Sequence, residues 1–395
     1  MAIRTLIAAL LMVGPAVATA QISGEFYLEK STYAPGEPIF LYFKVANDGT
    51  ETENIHTAGP YSFCSGYQIS VSTDPRATSS CGYFGTAGSC LSSSALLSPG
   101  KLHIERLLLN FDHKIDTSGD YSVDAVRLLS HAGSNLDWFS PDTVKDSLEV
   151  RMTLHFRVDE NAAPASASEF QRWVNQLQST DLMERIEAAR TLASLAPPFL
   201  ENTLLAFADN SEFRRFAPLA FHRLNTPRSM AAMAELLTKS DVGTAEHLES
   251  ADYLAESDDE QWFPLLREIA QQNARISNYV DDAAKLGGDQ MLSTLISLAN
   301  SSDRKFTAVN AVMAMGSTGS RAAVPALLDF LKNPDPDIAD RARYAVRLLT
   351  HRTVSDDPVR SPQSEYFKWS NWWANEGGIA PIYKATECGD FIPLN

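Results

Sequence analysis

The sequence predicts a multidomain, all-β plus all-α protein, with a β-sandwich in front and a stack of paired helices behind. Three observations predict this. Up to about residue 158 apolar residues alternate with a period of two. From about residue 169 they recur at the three- and four-residue spacing of a helix. Between the two lies 161–168, Asn-Ala-Ala-Pro-Ala-Ser-Ala-Ser, a run of small residues of the kind that links domains.

The first element is a leader. Met1-Ala2-Ile3-Arg4 supplies a positive start, Leu6 to Val13 an uncharged apolar stretch, and Ala18-Thr19-Ala20 the small residues a signal peptidase requires. Residues 1–20 are therefore expected to be a cleaved signal peptide, which places the mature chain in the periplasm or outside the cell. The apolar stretch is short for a membrane span, and no later window is apolar for long enough. No cysteine follows the small residues, which argues against lipid attachment.

The front domain, 21–160, comes next. Ile39, Leu41, Phe43 and Val45 alternate with Phe40, Tyr42, Lys44 and Ala46, and Phe26 and Leu28 alternate with Tyr27 and Glu29. Further strands are expected at 68–71, 102–109, 121–129 and 148–158. In the last of these His155 shares parity with Arg151, Thr153 and Arg157 and is expected to face solvent. Turns at Ala34-Pro35-Gly36-Glu37 and Asn47-Asp48-Gly49 separate the early strands, with glycine supplying positive φ. Residues 62–94 are rich in Ser and Gly and are expected to be long loops stapled by a disulfide. Four cysteines are present: Cys64, Cys81, Cys90 and Cys388. An oxidising compartment permits pairing, and three full pairings are open.

The stretch from Leu28 to Ile39, with its Tyr33-Ala34-Pro35-Gly36-Glu37-Pro38 turn and the Asn47-Asp48-Gly49 turn after the next strand, resembles the opening of bacterial immunoglobulin-like modules. Ser98-Pro99-Gly100 resembles a later turn of such modules. Gly119-Asp120-Tyr121 resembles the Gly-x-Tyr that opens a late strand, whose tyrosine hydrogen-bonds across a loop. The resemblance implies an immunoglobulin-like β-sandwich and says little about activity.

Residues 169–350 form the back domain. Six helix pairs are expected: 169–177 with 182–195, 199–208 with 211–224, 227–237 with 244–254, 260–271 with 274–286, 288–299 with 303–315, and 321–331 with 336–349. The second helices echo one another, as in Glu187-Ala188-Ala189-Arg190-Thr191-Leu192 against Thr307-Ala308-Val309-Asn310-Ala311-Val312. Asp303 and Asp335 stand where carboxylates meet the unpaired N–H groups of a helix start. The pattern resembles HEAT repeats, most closely in the last two units, where Val324-Pro325-Ala326-Leu327-Leu328 precedes Asp335-Pro336-Asp337. The resemblance implies a HEAT-like α-α superhelix and a protein-binding or scaffolding role.

The tail, 351–395, holds one more helix and an irregular end. Trp369, Trp372 and Trp373 share one helical face. They are expected either to cap the open end of the helix stack or to form an exposed aromatic contact for a glycan or peptide. The stretch also resembles the Trp-x-x-Trp-Trp helix that follows such repeats in bacterial secreted proteins.

The chain offers no nucleophile elbow, zinc-protease pair, phosphate loop or dinucleotide fingerprint, and no Cys-x-x-Cys. No catalytic residue, metal ligand or cofactor is expected. The acidic runs Asp258-Asp259-Glu260 and Asp335, Asp337, Asp340 lack calcium-loop spacing and are expected to start helices. A net charge of -16 over 395 residues excludes a general nucleic-acid binder, because such a chain is repelled by phosphate. The leading expectation is an exported, non-enzymatic protein that holds a protein partner on its helical-repeat surface. The competing one is an accessory or catalytic protein acting on envelope polysaccharide or glycan.

Overall fold

The computed structural model describes residues 22–57, 67–73, 93–113, 115, 117–133, 146–162, 167–301, 305–353, 362–385 and 391–394. The leader 1–20, all four cysteines, Asp303 and residues 163–166 of the linker lie outside them. The chain divides into two units, Met1–Ala163 and Pro164–Asn395.

In the first unit the period-two runs become β1 (Ile22–Leu28), β2 (Thr32–Tyr33), β3 (Phe40–Asn47), β4 (Glu53–Thr57), β5 (Tyr67–Ser72), β6 (Ser93–Leu97), β7 (Leu102–Leu108), β8 (Gly119–Gly133) and β9 (Asp146–Val158). A single helical turn, α1 (Leu109–Asp112), follows β7. One sheet has the order β1-β3-β7. The other has β2-β9-β8-β4-β6, with β5 also paired to β8. All pairings are antiparallel except β2 with β9. The two sheets share one core. Phe26, Leu41, Phe43 and Val45 from the first sheet meet Ile55, Tyr67, Val123, Leu129 and Phe156 from the second. Alternation is what makes this work, since every second side chain of a strand points to the same face. His155 is exposed, as its parity predicts.

The turn at Pro35 closes as expected. Glu37 N donates to Ala34 O at 3.1 Å, and Gly36 takes φ +76°. The turn after β3 differs. Gly49 does not adopt positive φ. Instead the buried Asn47 bends the chain with its own side chain, accepting from Gly49 N at 3.0 Å and donating to the carbonyls of Glu51 and Leu97 at 2.7 Å. Its backbone carbonyl accepts from Gly100 N at 2.8 Å, so the Asn47 and Pro99-Gly100 turns are held together. Tyr121 donates its hydroxyl to Thr117 O at 2.8 Å, a short-range bond of the tyrosine-corner kind.

The second unit is helical. Its helices are α2 (Ala167–Gln176), α3 (Leu182–Leu195), α4 (Glu201–Leu205), α5 (Ala217–Leu224), α6 (Pro227–Lys239), α7 (Ala245–Glu256), α8 (Phe263–Gln272), α9 (Ser277–Gly287), α10 (Asp289–Ala299), α11 (Lys305–Met315), α12 (Ala323–Phe330), α13 (Pro336–Thr350) and α14 (Pro362–Trp372). They pack two by two in chain order, from α2 with α3 to α12 with α13. The second helices also pack in sequence, α3 on α5, α5 on α7, and so on to α13. A π-helical turn, Trp373–Gly377, follows α14. The stretch beyond it, expected to be irregular, forms an antiparallel pair of β10 (Ile382–Ala385) and β11 (Phe391–Leu394). Ile382 is buried there, and β10 packs against α13. Four-residue strands bounded by Gly and Pro are too short to show a period in sequence.

Candidate binding surface on the second helices

Among the described residues two of the second helices start on a side-chain cap, and the second helices carry a stripe of buried small or aliphatic residues. Asp181 caps α3 by accepting from Met183 N at 2.7 Å, and Asp335 caps α13 by accepting from Asp337 N at 3.0 Å. Ala188, Ala189 and Ala193 of α3, Ala308 and Ala311 of α11, and Ala339, Ala342 and Ala345 of α13 are all buried. Alanine at these positions lets neighbouring helices approach closely, and the opposite face of each helix is left to solvent.

At the α11–α13 junction that outer face opens into a cleft of about 590 Å³. This is within the size range of small-ligand pockets. Phe306 and Tyr344 stand on its two helices, 75% and 51% exposed. Both lie off their helix's buried stripe. That is the signal that would have marked them in sequence, and reading α11 and α13 only as repeat echoes passes over it. Charges and amides complete the lining. Lys305 is held by Asp335 at 3.1 Å and Asp337 at 2.6 Å, and Asp340 pairs with Arg343. Asn310 donates to the carbonyls of Ala274 and Arg275, both at 3.1 Å, tying α11 to the turn before α9.

Two repeats earlier the same layer holds an acidic network. Lys285 of α9 lies 3.3 Å from Asp281, 3.8 Å from Asp282 and 3.7 Å from Asp252 of α7. Asp282 is 2% exposed, and its Oδ2 has no hydrogen-bond partner among the described residues. Burial, then the charge of Asp252, pushes its carboxyl well above the usual range, against the pull of Lys285. Desolvation works against the Lys285 charge, but the surrounding aspartates outweigh it and raise its pKa. Glu249, on α7, is raised to about 7 by burial and by the charges of Glu246 and Asp252.

Other residues singled out in the sequence are placed as follows. Trp369 is 1% exposed and Trp372 6%, packed edge to face at 5.6 Å, while Trp373 is half-buried. The Trp372 indole donates to Glu376 at 3.0 Å, Arg352 lies over its ring, and α14 packs on α12. Two of the three rings are thus internal to the C-terminal packing. Arg321 ties the tail down through the carbonyls of Gly377 and Ala380. Cys64, Cys81, Cys90 and Cys388 lie outside the described residues, and so do their pairings. Asp259 accepts from Gln261 N at 3.1 Å at a helix start, and Asp258 lies 3.5 Å from Lys384. Among the described residues no group of His, Cys, Asp or Glu is arranged to hold a metal ion, and no helix is long and apolar enough to cross a membrane.

Comparison with known proteins adds one family. Residues 308–333, spanning most of α11 and all of α12, match the PBS lyase HEAT-like repeat. No curated protein matches the chain. Among solved structures, the chain aligns with Escherichia coli alpha-2-macroglobulin in its native conformation at 11% identity and a TM-score of 0.19, over 91% of this chain and 25% of that one. It aligns with a mutant of Salmonella alpha-2-macroglobulin at 11% identity and a TM-score of 0.18, over 92% and 28%. The chain spans about a quarter of the length of these proteins. Scores this low carry no argument about fold or function.

Proposed function

We propose that this chain is an exported, non-enzymatic protein-binding module that holds a partner on the outer face of its second helices. In this reading the back unit is a HEAT-like α-α superhelix, and the front unit is an immunoglobulin-like β-sandwich that positions the partner or adds a second contact to it. The superhelix is supported by the repeat match at 308–333 and by second helices that stack in chain order. HEAT-like repeats commonly mediate protein interactions, because stacking leaves a broad face of unpaired side chains. The sandwich is supported by two sheets over one core and by the Tyr121 bond to Thr117. Export rests on the leader at 1–20. The net charge of -16 disfavours nucleic acid as the partner.

The observation that carries the proposal is the pair Phe306 and Tyr344. A helix exposes its large rings at a cost unless something covers them, and aromatic residues are enriched where interfaces concentrate their binding energy. The test is site-specific photo-crosslinking in the native envelope. A photoreactive phenylalanine analogue at Phe306 is expected to give one discrete adduct. The same analogue at Glu268, exposed on the first helix α8, is expected to give none. Equal labelling at both sites, or none at Phe306, would overturn the assignment.

A further inference from the structure

Asp282 is a carboxyl with almost no water and only one cation. Among the described residues Lys285 alone is within ion-pair distance of it, at 3.8 Å, and Lys285 is shared with Asp281 at 3.3 Å and Asp252 at 3.7 Å. Asp281 and Asp252 reach solvent, whereas Asp282 is 2% exposed. Its Oδ2 meets no donor among the described residues, and the group its carboxyl does bond is the carboxyl of Asp252, across the junction on α7. Two ionised carboxyls only accept, so that contact needs a proton between them. The helices are in register at this level. His247 packs on Tyr279 at 5.0 Å on one side of it and Asp252 meets Lys285 on the other, which sets Ser250 of α7 level with Asp282. Ser250 is fully buried, and its Oγ has no partner among the described residues.

The other elements packed on α7 and α9 place their charges elsewhere. The one titratable residue of α11, Lys305, is held by Asp335 and Asp337. On α8, Arg267 lies over the Phe263 ring and Glu268 accepts from Gln272, and on α10 Asp289 accepts from Ser320. On α6, Arg228 and Lys239 pair with Glu201 and Glu235. Ahead of α7, Arg215 acts on Glu249, while α5 carries Arg223 and His222, the latter 3.9 Å from Glu256. Within α7, Glu246 and Glu249 add negative charge, and burial disfavours the charged form of His247.

We propose that the α7–α9 junction is a proton-operated joint in the stack of second helices: one proton shared by Asp252 and Asp282 holds it closed, and loss of that proton sets the two carboxylates against each other and opens it. An ionised carboxylate cannot stay dry beside a second one, so water must enter and the helices must part. Ser250 Oγ is a polar atom that the entering water satisfies. Each second helix packs on its neighbours alone, so the opening stays local. The sign follows from linkage. A carboxyl that holds its proton more tightly when folded stabilises the fold in acid and ceases to as pH rises, so the joint is closed at low pH and opens toward neutral and alkaline pH. This device stands apart from whatever the outer face binds.

Hydrogen exchange of the full chain, corrected for intrinsic exchange rates, tests this from about pH 5 to about pH 8. Amides of α7 and α9 are expected to lose protection as pH rises, by about ten-fold per pH unit where the proton leaves, the linkage of a single proton. Amides of α3 and α13 are expected to hold theirs. Asp282→Asn keeps the shape of the protonated carboxyl and cannot ionise, so it is expected to remove most of the dependence, and Asp252→Asn to do the same from the other helix. Glu249→Gln leaves the pair intact and is expected to keep most of it. Protection at α7 and α9 that is flat or rising with pH in the unaltered chain overturns the proposal. So does a dependence that Asp282→Asn retains and Glu249→Gln abolishes, or a loss shared equally by α3 and α13. If one asparagine variant fails to fold, the other and the unaltered chain still decide.

Discussion

Arg127 has no exposed surface, yet it carries a full charge between the sheets of the front unit. Its guanidinium donates to the carbonyls of His56 at 2.7 Å and Leu128 at 3.0 Å and lies over the Tyr67 ring. Its Nε is 3.7 Å from Glu105, which also accepts from the Tyr67 hydroxyl. Glu105 is on β7 and Arg127 on β8, so the pair crosses the core. Such a pair adds little net stability, because desolvation offsets the attraction, but removing one partner strands the other. Arg127→Ala is expected to cost about 3–5 kcal/mol. Removing Glu105 as well should cost much less than the sum, and urea denaturation of a double-mutant cycle measures the difference. In sequence Glu105 and Arg127 look like ordinary outward positions of alternating strands, and nothing in the spacing marks them as buried. A second residue-scale consequence concerns Glu249. Its folded-state pKa, about 7, lies above the ordinary 4.5. A raised carboxyl contributes stability that is full below the ordinary value and is lost as pH rises through the folded one. Arg215 opposes the shift, and Glu246 and Asp252 reinforce it. Asp282 is raised in the same sense. The helical unit's melting temperature is therefore expected to fall as pH rises from about 4.5 to about 7, and Glu249→Gln to flatten part of that fall. A melting temperature that rises over this range would contradict the assigned burial.

At the scale of elements, what was legible was whatever obeyed one period. The run Ile39, Leu41, Phe43, Val45 announces β3, and each of these side chains is buried. The alanine stripes announce α3, α11 and α13. What was hidden was apolar structure built from polar residues. β4 reads Glu-Asn-Ile-His-Thr, and Glu53, Asn54 and Thr57 are buried beside Ile55. Their partners come from β8 and β6, which lie far along the chain: His131 meets Glu53 at 3.2 Å. No local pattern encodes such satisfaction, because the groups that offset the burial cost lie on other strands. The helix contacts, by contrast, are set locally by size. Gly316 ends α11 where α13 passes, and a Cβ there would stand 2.9 Å from Ala345 Cα. The obstacle is backbone, which cannot swing aside. Gly316→Val is expected to destabilise the helical unit by about 1–3 kcal/mol through overpacking. Chemical denaturation followed by the helical circular-dichroism signal reads this, and an unchanged midpoint would show that α11 and α13 have room to separate.

Over the whole molecule, the back unit is quasi-one-dimensional: each pair of helices packs on its neighbours, so the order of pairs could be read without knowing any long-range contact. Long-range features were less accessible. The cleft at Phe306 and Tyr344 needs two helices that begin about thirty residues apart in sequence to be placed side by side, and only the stacking order provides that. A linear stack also has ends, and an end must be closed. Here α14 packs on α12, with Trp369 and Trp372 turned inward and Glu365 held by Arg343 of α13. Because coupling passes from neighbour to neighbour, damage at this end should fade with distance along the stack. Trp369→Ala is expected to cost about 3–5 kcal/mol locally, the range for deleting a buried indole. Hydrogen exchange of the full chain is the measurement that separates local from global loss. Amides of α12, α13 and α14 are expected to lose protection, while those of α3 and α5 keep theirs. If α3 and α5 lost protection equally, the stack would unfold as one cooperative body, and the cap would be holding every repeat together.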